Sequence, residues 1–422
     1  MISRIEALRY RCLRYVSQDL MPFHVLVGPN ASGKSTFLDV LAFLSDVVFY
    51  GPSDAISERA HSDLRDLLWM RDGDRFEVAV DVVVPKDRRQ RLKESQHTRA
   101  RYELSIGLKD EVGGPGILSE TFWLTNGQET ASTHAIQRSL FPQPPPAPDT
   151  IVHLPGRRAP QGWKKIVTKV AESGNDYFSS ETSGWNNLFR LGPQKSALAN
   201  LPEDETKFPV ATWFKELLMA GLQTLRLNSE QMRRPSPPKA PRVFLPDGST
   251  LPWVVDSLAK KHKQRFASWI GHVRTALPDL KQIRTVERSE DRHRYLVIEY
   301  ENGLKVPSWV VSDGTLRLLA LTLLAYLPDV TGVFLIEEPE NGIHPRAVES
   351  VFQSLASVYG AQVLLATHSP VVLSIAKPEQ ILCFAKTPDG ATDVVRGSDH
   401  PGLKTWKGET DLGTLFASGV LG

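Results

Sequence analysis

Cysteine is nearly absent. The 422-residue chain has two, Cys12 and Cys383. Two thiols argue against a disulfide scaffold and against a cysteine-based zinc site, and they suit a reducing cytosol. Long apolar runs are missing too. No stretch of about 18 consecutive apolar residues occurs, so no spanning helix is expected. The N-terminus, Met-Ile-Ser-Arg-Ile-Glu, lacks the charged-then-apolar order of a signal peptide. Together these point to a soluble, cytoplasmic protein with no membrane partner. Neither sign of charge is in excess: 50 Lys and Arg face 48 Asp and Glu, a formal net charge of +2. No global field therefore commits the chain to nucleic acid or to an anionic surface. Internal repeats and long heptad arms are also lacking. Hydrophobic residues make up 41 %, enough for a sizeable core over a length that suits two to three domains.

Residues 28–35 read Gly-Pro-Asn-Ala-Ser-Gly-Lys-Ser, the G-x-x-x-x-G-K-[ST] phosphate loop. An apolar strand-like run precedes it (Phe23, Val25, Leu26, Val27). A helix-like run follows (Phe37, Leu38, Val40, Leu41, Phe43, Leu44). Gly28 and Gly33 let the backbone wrap tightly, so that its N–H groups point at phosphate oxygens. Lys34 reaches the β- and γ-phosphates and Ser35 ligates Mg²⁺. Asn30 and Thr36 belong to the same loop and helix start, whose positive dipole end adds to the attraction. Nucleoside triphosphate binding is the expectation.

Around the loop, residues 2–27 read as short strands with a turn near Asp19 to Pro22, and 36–48 as a helix. Phe76 to Val84 and Tyr102 to Leu108 read as strands. Lys86 to Arg101 between them is strongly basic. Phe141 to Pro148 is too Pro-rich for regular helix or central strand, and reads as a stiff connection. A second Pro-rich stretch spans Pro235 to Pro241. Val255 to Leu277 has the spacing of one amphipathic helix. Residues 294–300 and 304–311 read as strands, and Leu316 to Leu327 as an apolar helix. Val333 to Ile336 and Val363 to Ala366 are continuous apolar runs, as buried parallel strands require. The two ends are expected to form one α/β core: residues 1–140 with the phosphate loop, 141–254 as an insertion, 255–422 as the second half.

A second constellation follows those late strands. Val333 to Ile336 runs into Glu337-Glu338-Pro339-Glu340, which delivers acid to the edge of a parallel sheet where ligands bind. Glu337 would hold Mg²⁺ through water, and Glu338 would orient or deprotonate an attacking water. Val363 to Ala366 is followed by Thr367-His368-Ser369-Pro370, which places His368 within reach of a γ-phosphate. Ser312-Asp313-Gly314 precedes an apolar helix. Ser312 or Asp313 is its N-cap, and the free N–H groups there make an anion site.

Together and in this order, the four elements resemble the ATP-binding-cassette (ABC) type of ATPase. Gly28 to Ser35 corresponds to its Walker A, Ser312-Asp313-Gly314 to its signature, Ile336-Glu337-Glu338 to its Walker B with the catalytic Glu, Pro339 to His344 to its D-loop and His368 to its switch His. Within that class the chain is similar to AAA ATPases of the SMC/RecF-like type near the overcoming-lysogenisation-defect (OLD) group. Glu-Glu-Pro-Glu-Asn-Gly-Ile-His-Pro (337–345), Ala-Thr-His-Ser-Pro (366–370) and the ending at 411–422 carry that likeness. It covers roughly residues 1–110 and 255–422. It implies an α/β fold with an ABC-type P-loop core, an antiparallel β subregion and an inserted, largely helical lid domain. It also implies ATP and Mg²⁺ as cofactors, Glu338 and His368 as catalytic residues, and Arg11 as a nucleotide contact. The chain is expected to pair with itself head to tail, Ser312 and Gly314 closing the ATP held by the partner's Lys34. Three departures stand out: Glu337 replaces the usual Walker B Asp, Gly314-Thr315 the usual Gly-Gln, and no Gln between Thr36 and Arg89 supplies a coupling loop.

OLD-type proteins carry a C-terminal Toprim nuclease. About 50 residues with few acids follow His368, too short for one. The expected role is therefore a regulatory ATPase in bacterial anti-phage defence with a separately encoded, nuclease-like effector. The alternative is a DNA-binding repair ATPase of RecF or SMC type. It would use the basic stretches Lys86 to Arg101 and Lys260 to Arg265, whose other reading is a solvated loop or helix face.

Overall fold

The computed structural model describes residues 1–60, 63–94, 96–108, 114–127, 146–153, 159–170 and 174–400. Two sheets sandwich the helix that follows the phosphate loop. One is antiparallel, in the order Leu13–Asp19, Ile2–Tyr10, Arg75–Val83, Arg99–Leu108, Pro115–Thr125, Lys164–Val170, Asn175–Ser179, Asn186–Phe189. The other runs Leu222–Leu225, Val333–Glu337, Gln362–Ala366, Phe23–Val27, Ile381–Lys386, Thr392–Arg396. Its first five strands are parallel and the last is antiparallel.

The central helix, Lys34–Phe49, buries more than half of its girth. Phe43 meets Tyr10 and Phe76 of the antiparallel sheet at ring separations of 5.7 and 5.3 Å. Phe37 meets Phe384 of the parallel sheet at 5.5 Å. A second core lies on the far side of the parallel sheet. There Val25, Val27, Phe334 and Ile336 face the helices Leu251–Lys261, Lys263–Ala276, Asp313–Leu323 and Pro345–Ala356. Leu26 and Leu335 point the other way, into the first core. This two-sided burial is why those strands read as continuous apolar runs.

The α/β core with its antiparallel sheet matches the expectation. The described residues of 141–254 are mostly irregular, with short helices at Pro209–Glu216 and Ser229–Arg233 and four short strands. Three strands extend the antiparallel sheet, and Leu222–Leu225 forms the edge of the parallel one. The helical subregion is the pair at 251–276, followed by a three-stranded sheet, Leu280–Glu287, Arg294–Tyr300 and Lys305–Pro307. The single helix expected over 255–277 is two, because His262 takes a non-helical backbone (φ −133°, ψ 58°). That bend turns Val255 and Leu258 as well as Trp269 and Val273 toward one core. The strand expected over 304–311 stops at Pro307, which has no N–H to continue a ladder. The apolar helix ends at Leu323 and tightens into a 3₁₀ turn at Leu324–Tyr326. Part of the Pro-rich connection, residues 141–145, and the ending at 411–422 lie outside the described residues.

His24 gives the central strand a pH dependence. It is fully buried. Its Nε2 accepts from the Met21 N–H at 2.8 Å and its Nδ1–H donates to Gln380 O at 3.0 Å. A second ring proton would face the Met21 N–H, and burial lowers the pKa to about 4. The unfolded chain therefore binds the proton more tightly, and stability is lost as pH falls from 6.5 toward 4. Chemical unfolding at pH 7.5 and pH 5 should show about 2 kcal/mol of His24-dependent loss. A His24→Gln chain should lack that increment. An unchanged slope in the variant would remove His24 as its source.

Candidate functional site

The C-terminal ends of the parallel strands gather the chemistry on one sheet edge. Val27 leads into the phosphate loop, Glu337 into Glu338, and Ala366 into Thr367 and His368. Between Val27 and the helix, the loop needs its glycines. Gly28 has φ +150°, and a Cβ there would lie 2.2 Å from Phe384 O. Gly33 has φ +102°, and a Cβ would lie 2.2 Å from Thr392 Oγ1. Only glycine fits either position. Gly33 caps the helix without a side-chain acceptor, and no acidic residue occupies the first turn. The first N–H groups are thus left for an anion.

Lys34 Nζ donates to Gly28 O at 2.8 Å and to Pro29 O at 3.0 Å, so the ammonium lies over the loop. Burial lowers its pKa, against the pull of Glu338 and Glu337. Ser35 Oγ donates to Glu337 Oε2. This joins the hydroxyl and the carboxylate that were singled out separately as metal ligands.

Glu338 is held in an unusual backbone state. Its φ is +46°, rare for a residue with a Cβ, and its N–H donates to Ala366 O at 2.8 Å. Such strain persists where the surroundings impose it, often at functional positions. Its carboxyl is pushed up to about 7, first by burial and then by the Glu340 carboxylate, with Lys34 opposing. His368 Nε2 lies 3.5 Å from Glu338 Oε1. Burial, then the charge of Lys34, lowers the His368 pKa, so the ring is neutral at ordinary pH. Glu340 anchors this corner: its Oε1 accepts from Thr367 Oγ1 at 2.5 Å and from His368 N at 3.2 Å.

These residues surround an open cleft of about 620 Å³. Asn30, Gly33, Lys34, Ser35, Thr36, Glu337, Glu338 and His368 line it, as does Arg11; Gly28 is not among the lining residues, but its carbonyl accepts from Lys34 Nζ. Arg11 sits at a tight turn with φ +51°, its guanidinium donating to Asp39 Oδ2 and Arg59 O, both at 3.2 Å. Asp39 also accepts from Tyr10 OH at 2.5 Å and Arg59 Nε at 2.8 Å. Ser312 and Gly314 do not line the cleft. Ser312 is exposed and caps its helix by accepting from Thr315 N at 3.3 Å. Gly314 packs so closely on the turn after the acidic strand that a Cβ would lie 2.3 Å from Gly342 O.

Sequence reasoning missed one wall. Cys12, Lys386 and Gly390 line the cleft as well. The hairpin of Ile381–Lys386 and Thr392–Arg396 is tied to the loop by Thr392 Oγ1 donating to Ser32 O at 2.9 Å. It is tied to the Arg11 turn by Thr392 N donating to Cys12 O at 2.9 Å. Only position after an apolar strand could have suggested Lys386. Glu340 was visible in its motif but carried no role.

Some cations of the basic stretches are committed internally. Arg88 and Arg91 both bond Glu205 at 2.8 and 2.9 Å, Lys260 pairs with Asp256 at 2.9 Å, and Arg101 is buried.

Residues 23–374 match a family model described as "AAA domain, putative AbiEii toxin, Type IV TA system". The chain belongs to this AAA family. The matched span contains the phosphate loop, Ser312, the acidic strand and His368, and ends before the Lys386 hairpin. Among solved structures, this AAA protein is similar to an SmcHead bound to the C-winged helix domain of ScpA. The TM-score is 0.51 at 14 % identity, covering 93 % of this chain and 97 % of that one. It is equally similar to an Smc head domain with an extended coiled coil bound to the C-terminal domain of ScpA, derived from Pyrococcus furiosus. There the TM-score is 0.51 at 11 % identity, covering 93 % and 95 %. At such identities the likeness establishes the fold: a P-loop core of the Smc-head ABC type. No curated protein matches the sequence. No helix among the described residues is long and apolar enough to cross a membrane.

Proposed function

We propose that the protein binds and hydrolyses ATP at a site built from two copies of the chain. The observation that carries this is the division of the expected residues. Lys34, Ser35, Glu337, Glu338 and His368 share one cleft, whereas Ser312 and Gly314 lie outside it on an exposed helix start. Beside Ser312, Trp309 is 46 % exposed and Val310 66 %, an apolar rim that suits contact with a second subunit.

Within the cleft the roles follow from position. Lys34 and the free N–H groups of the loop bind the phosphates. Glu338 takes the proton of an attacking water, and its near-neutral pKa matches that task. His368 adds a neutral donor beside it. Ser35 Oγ and the Glu337 carboxylate are hard oxygen donors already in contact, which fits Mg²⁺. Bound there, the ion would neutralise phosphate charge.

Mixing two inactive chains tests the composite site. Lys34→Ala and Ser312→Arg should each abolish turnover alone. A random mixture should recover up to about a quarter of wild-type phosphate release, since half the dimers are mixed and hold one intact site each. A mixture as dead as its parts would defeat assembly in trans.

The biological reading is a regulatory ATPase of OLD-like type in anti-phage defence, acting with a separately encoded effector. It rests on the motif phrases at 337–345 and 366–370 and on a family whose description names a toxin–antitoxin system. Co-purification with a neighbouring gene product, together with loss of phage protection in the Lys34→Ala strain, is the expected result. A chain that purifies alone and protects against nothing would count against it. The DNA-repair alternative has less to draw on, because several of its cations are paired within the fold.

A further inference from the structure

The parallel sheet has a second cavity at its other end. The phosphate loop, Glu338 and His368 follow the C-terminal ends of the strands. A pocket of about 500 Å³ opens instead where Leu222–Leu225 and Val333–Glu337 begin. That volume is in the range of small-ligand sites. Phe244, Leu258, Leu327 and Phe334 supply apolar walls. Arg242, Lys261 and His262 stand among the lining residues, with Asp329 the one acid.

Two details narrow the ligand. Gln223 lines the pocket from the edge strand, and its Oε1 is buried with no hydrogen-bond partner. A buried carbonyl oxygen left so is costly, and a ligand N–H would satisfy it. The cations are also placed for an anion. Arg242 lies with its guanidinium 3.2 Å from the centre of the Trp253 ring, and donates to Pro238 O at 3.1 Å. Stacking of this kind fixes a flat cation in one orientation. Lys261 is exposed and forms no ion pair with any described residue. An apolar slot, a buried amide acceptor and a cationic rim are the complement of a heteroaromatic ring bearing N–H donors and a phosphate.

We infer that this pocket is a second ligand site, for a nucleoside monophosphate, separate from the triphosphate cleft. Its location gives it a route to that cleft. Leu324 and Leu327 close the helix that begins at Ser312, and Phe334 lies three residues before Glu337 on the same strand. A ligand seated here touches both elements from behind.

The test is calorimetric titration of wild-type protein with AMP, GMP, CMP and UMP in turn, with and without saturating AMPPNP. At least one monophosphate should bind below about 1 mM, and it should still bind when AMPPNP saturates the cleft. Gln223→Leu and Lys261→Ala should each weaken it about tenfold while leaving AMPPNP affinity unchanged. Competition by AMPPNP would place the monophosphate in the triphosphate cleft and overturn the inference. So would binding that survives both substitutions, or the absence of binding by all four. Octanoate binding in their place, insensitive to Gln223→Leu, would mean a site for apolar anions and would also overturn it. If AMPPNP itself fails to bind, the ATPase reading falls while the monophosphate result still stands on its own.

Discussion

Replacing Glu338 by Gln should lower ATP turnover by about a thousandfold and leave ATP binding within a few-fold of wild type. The substitution keeps the shape of the side chain and removes its capacity to accept a proton. The backbone frame should survive, because the Glu338 N–H bond to Ala366 O does not involve the side chain. Lys34, Ser35 and the loop amides are untouched, so phosphate binding persists. The carboxyl of Glu338, raised to about 7 by burial and by Glu340, is poised to take a proton near neutral pH, which an amide cannot do. ATP should therefore accumulate uncleaved, and the variant should remain dimeric in its presence. Phosphate release, a fluorescent ATP analogue and light scattering measure the three quantities. Turnover within tenfold of wild type would remove Glu338 from the proton-transfer role. Loss of ATP binding together with turnover would instead make it a structural support of the loop.

The core and most of the cleft were readable in the sequence, because the responsible signals are local. A phosphate loop is eight consecutive residues with strand before and helix after. Val333 to Ile336 and Val363 to Ala366 announce themselves as short apolar runs followed by polar residues. What local pattern could not supply is pairing across the chain. Lys386 lines the cleft because the Ile381–Lys386 strand pairs with Phe23–Val27, some 350 residues away in sequence. Asp39 holds Arg11 because the fold brings the Arg11 turn against the second turn of the central helix, where an isolated Asp looks like any solvated residue. The strands of 164–189 are short and polar, and they gain their order from Pro115–Thr125 rather than from their own composition. The bend at His262 has no proline or glycine to mark it; the two apolar faces set it by sharing one core.

Arg101 also depends on partners brought from other strands, and the second large effect is expected there. Arg101 lies in the middle of the antiparallel sheet, with a side chain 7 % exposed. Its Nε donates to Glu103 Oε1 at 2.7 Å, its Nη1 to Asp81 Oδ2 at 3.1 Å and its Nη2 to Ile151 O at 3.1 Å, and Nη2 also pairs with Glu6 Oε2 at 2.6 Å. Burial alone would raise the Glu103 pKa. The charge of Arg101, aided by hydrogen bonds from His153, instead takes it down to about 2. Arg101→Leu keeps apolar volume but leaves three carboxylates around an uncharged centre. Removing one partner of a buried ion pair costs about 3–5 kcal/mol, and here one cation serves three anions. Lysine should rescue little, because it cannot spread donors over all the acceptors at once. The pH dependence separates lost charge from lost packing. With a depressed native pKa, Glu103 stabilises the wild type above pH 4.5, and that stability is lost as pH falls toward 2. Urea unfolding at pH 7.5 and pH 4 should find the Arg101→Leu deficit large at the higher pH and smaller at the lower, where protonation relieves the orphaned acids. A deficit under about 1 kcal/mol at pH 7.5, or one that does not shrink with acid, would show that the guanidinium is not what holds these carboxylates inside the sheet.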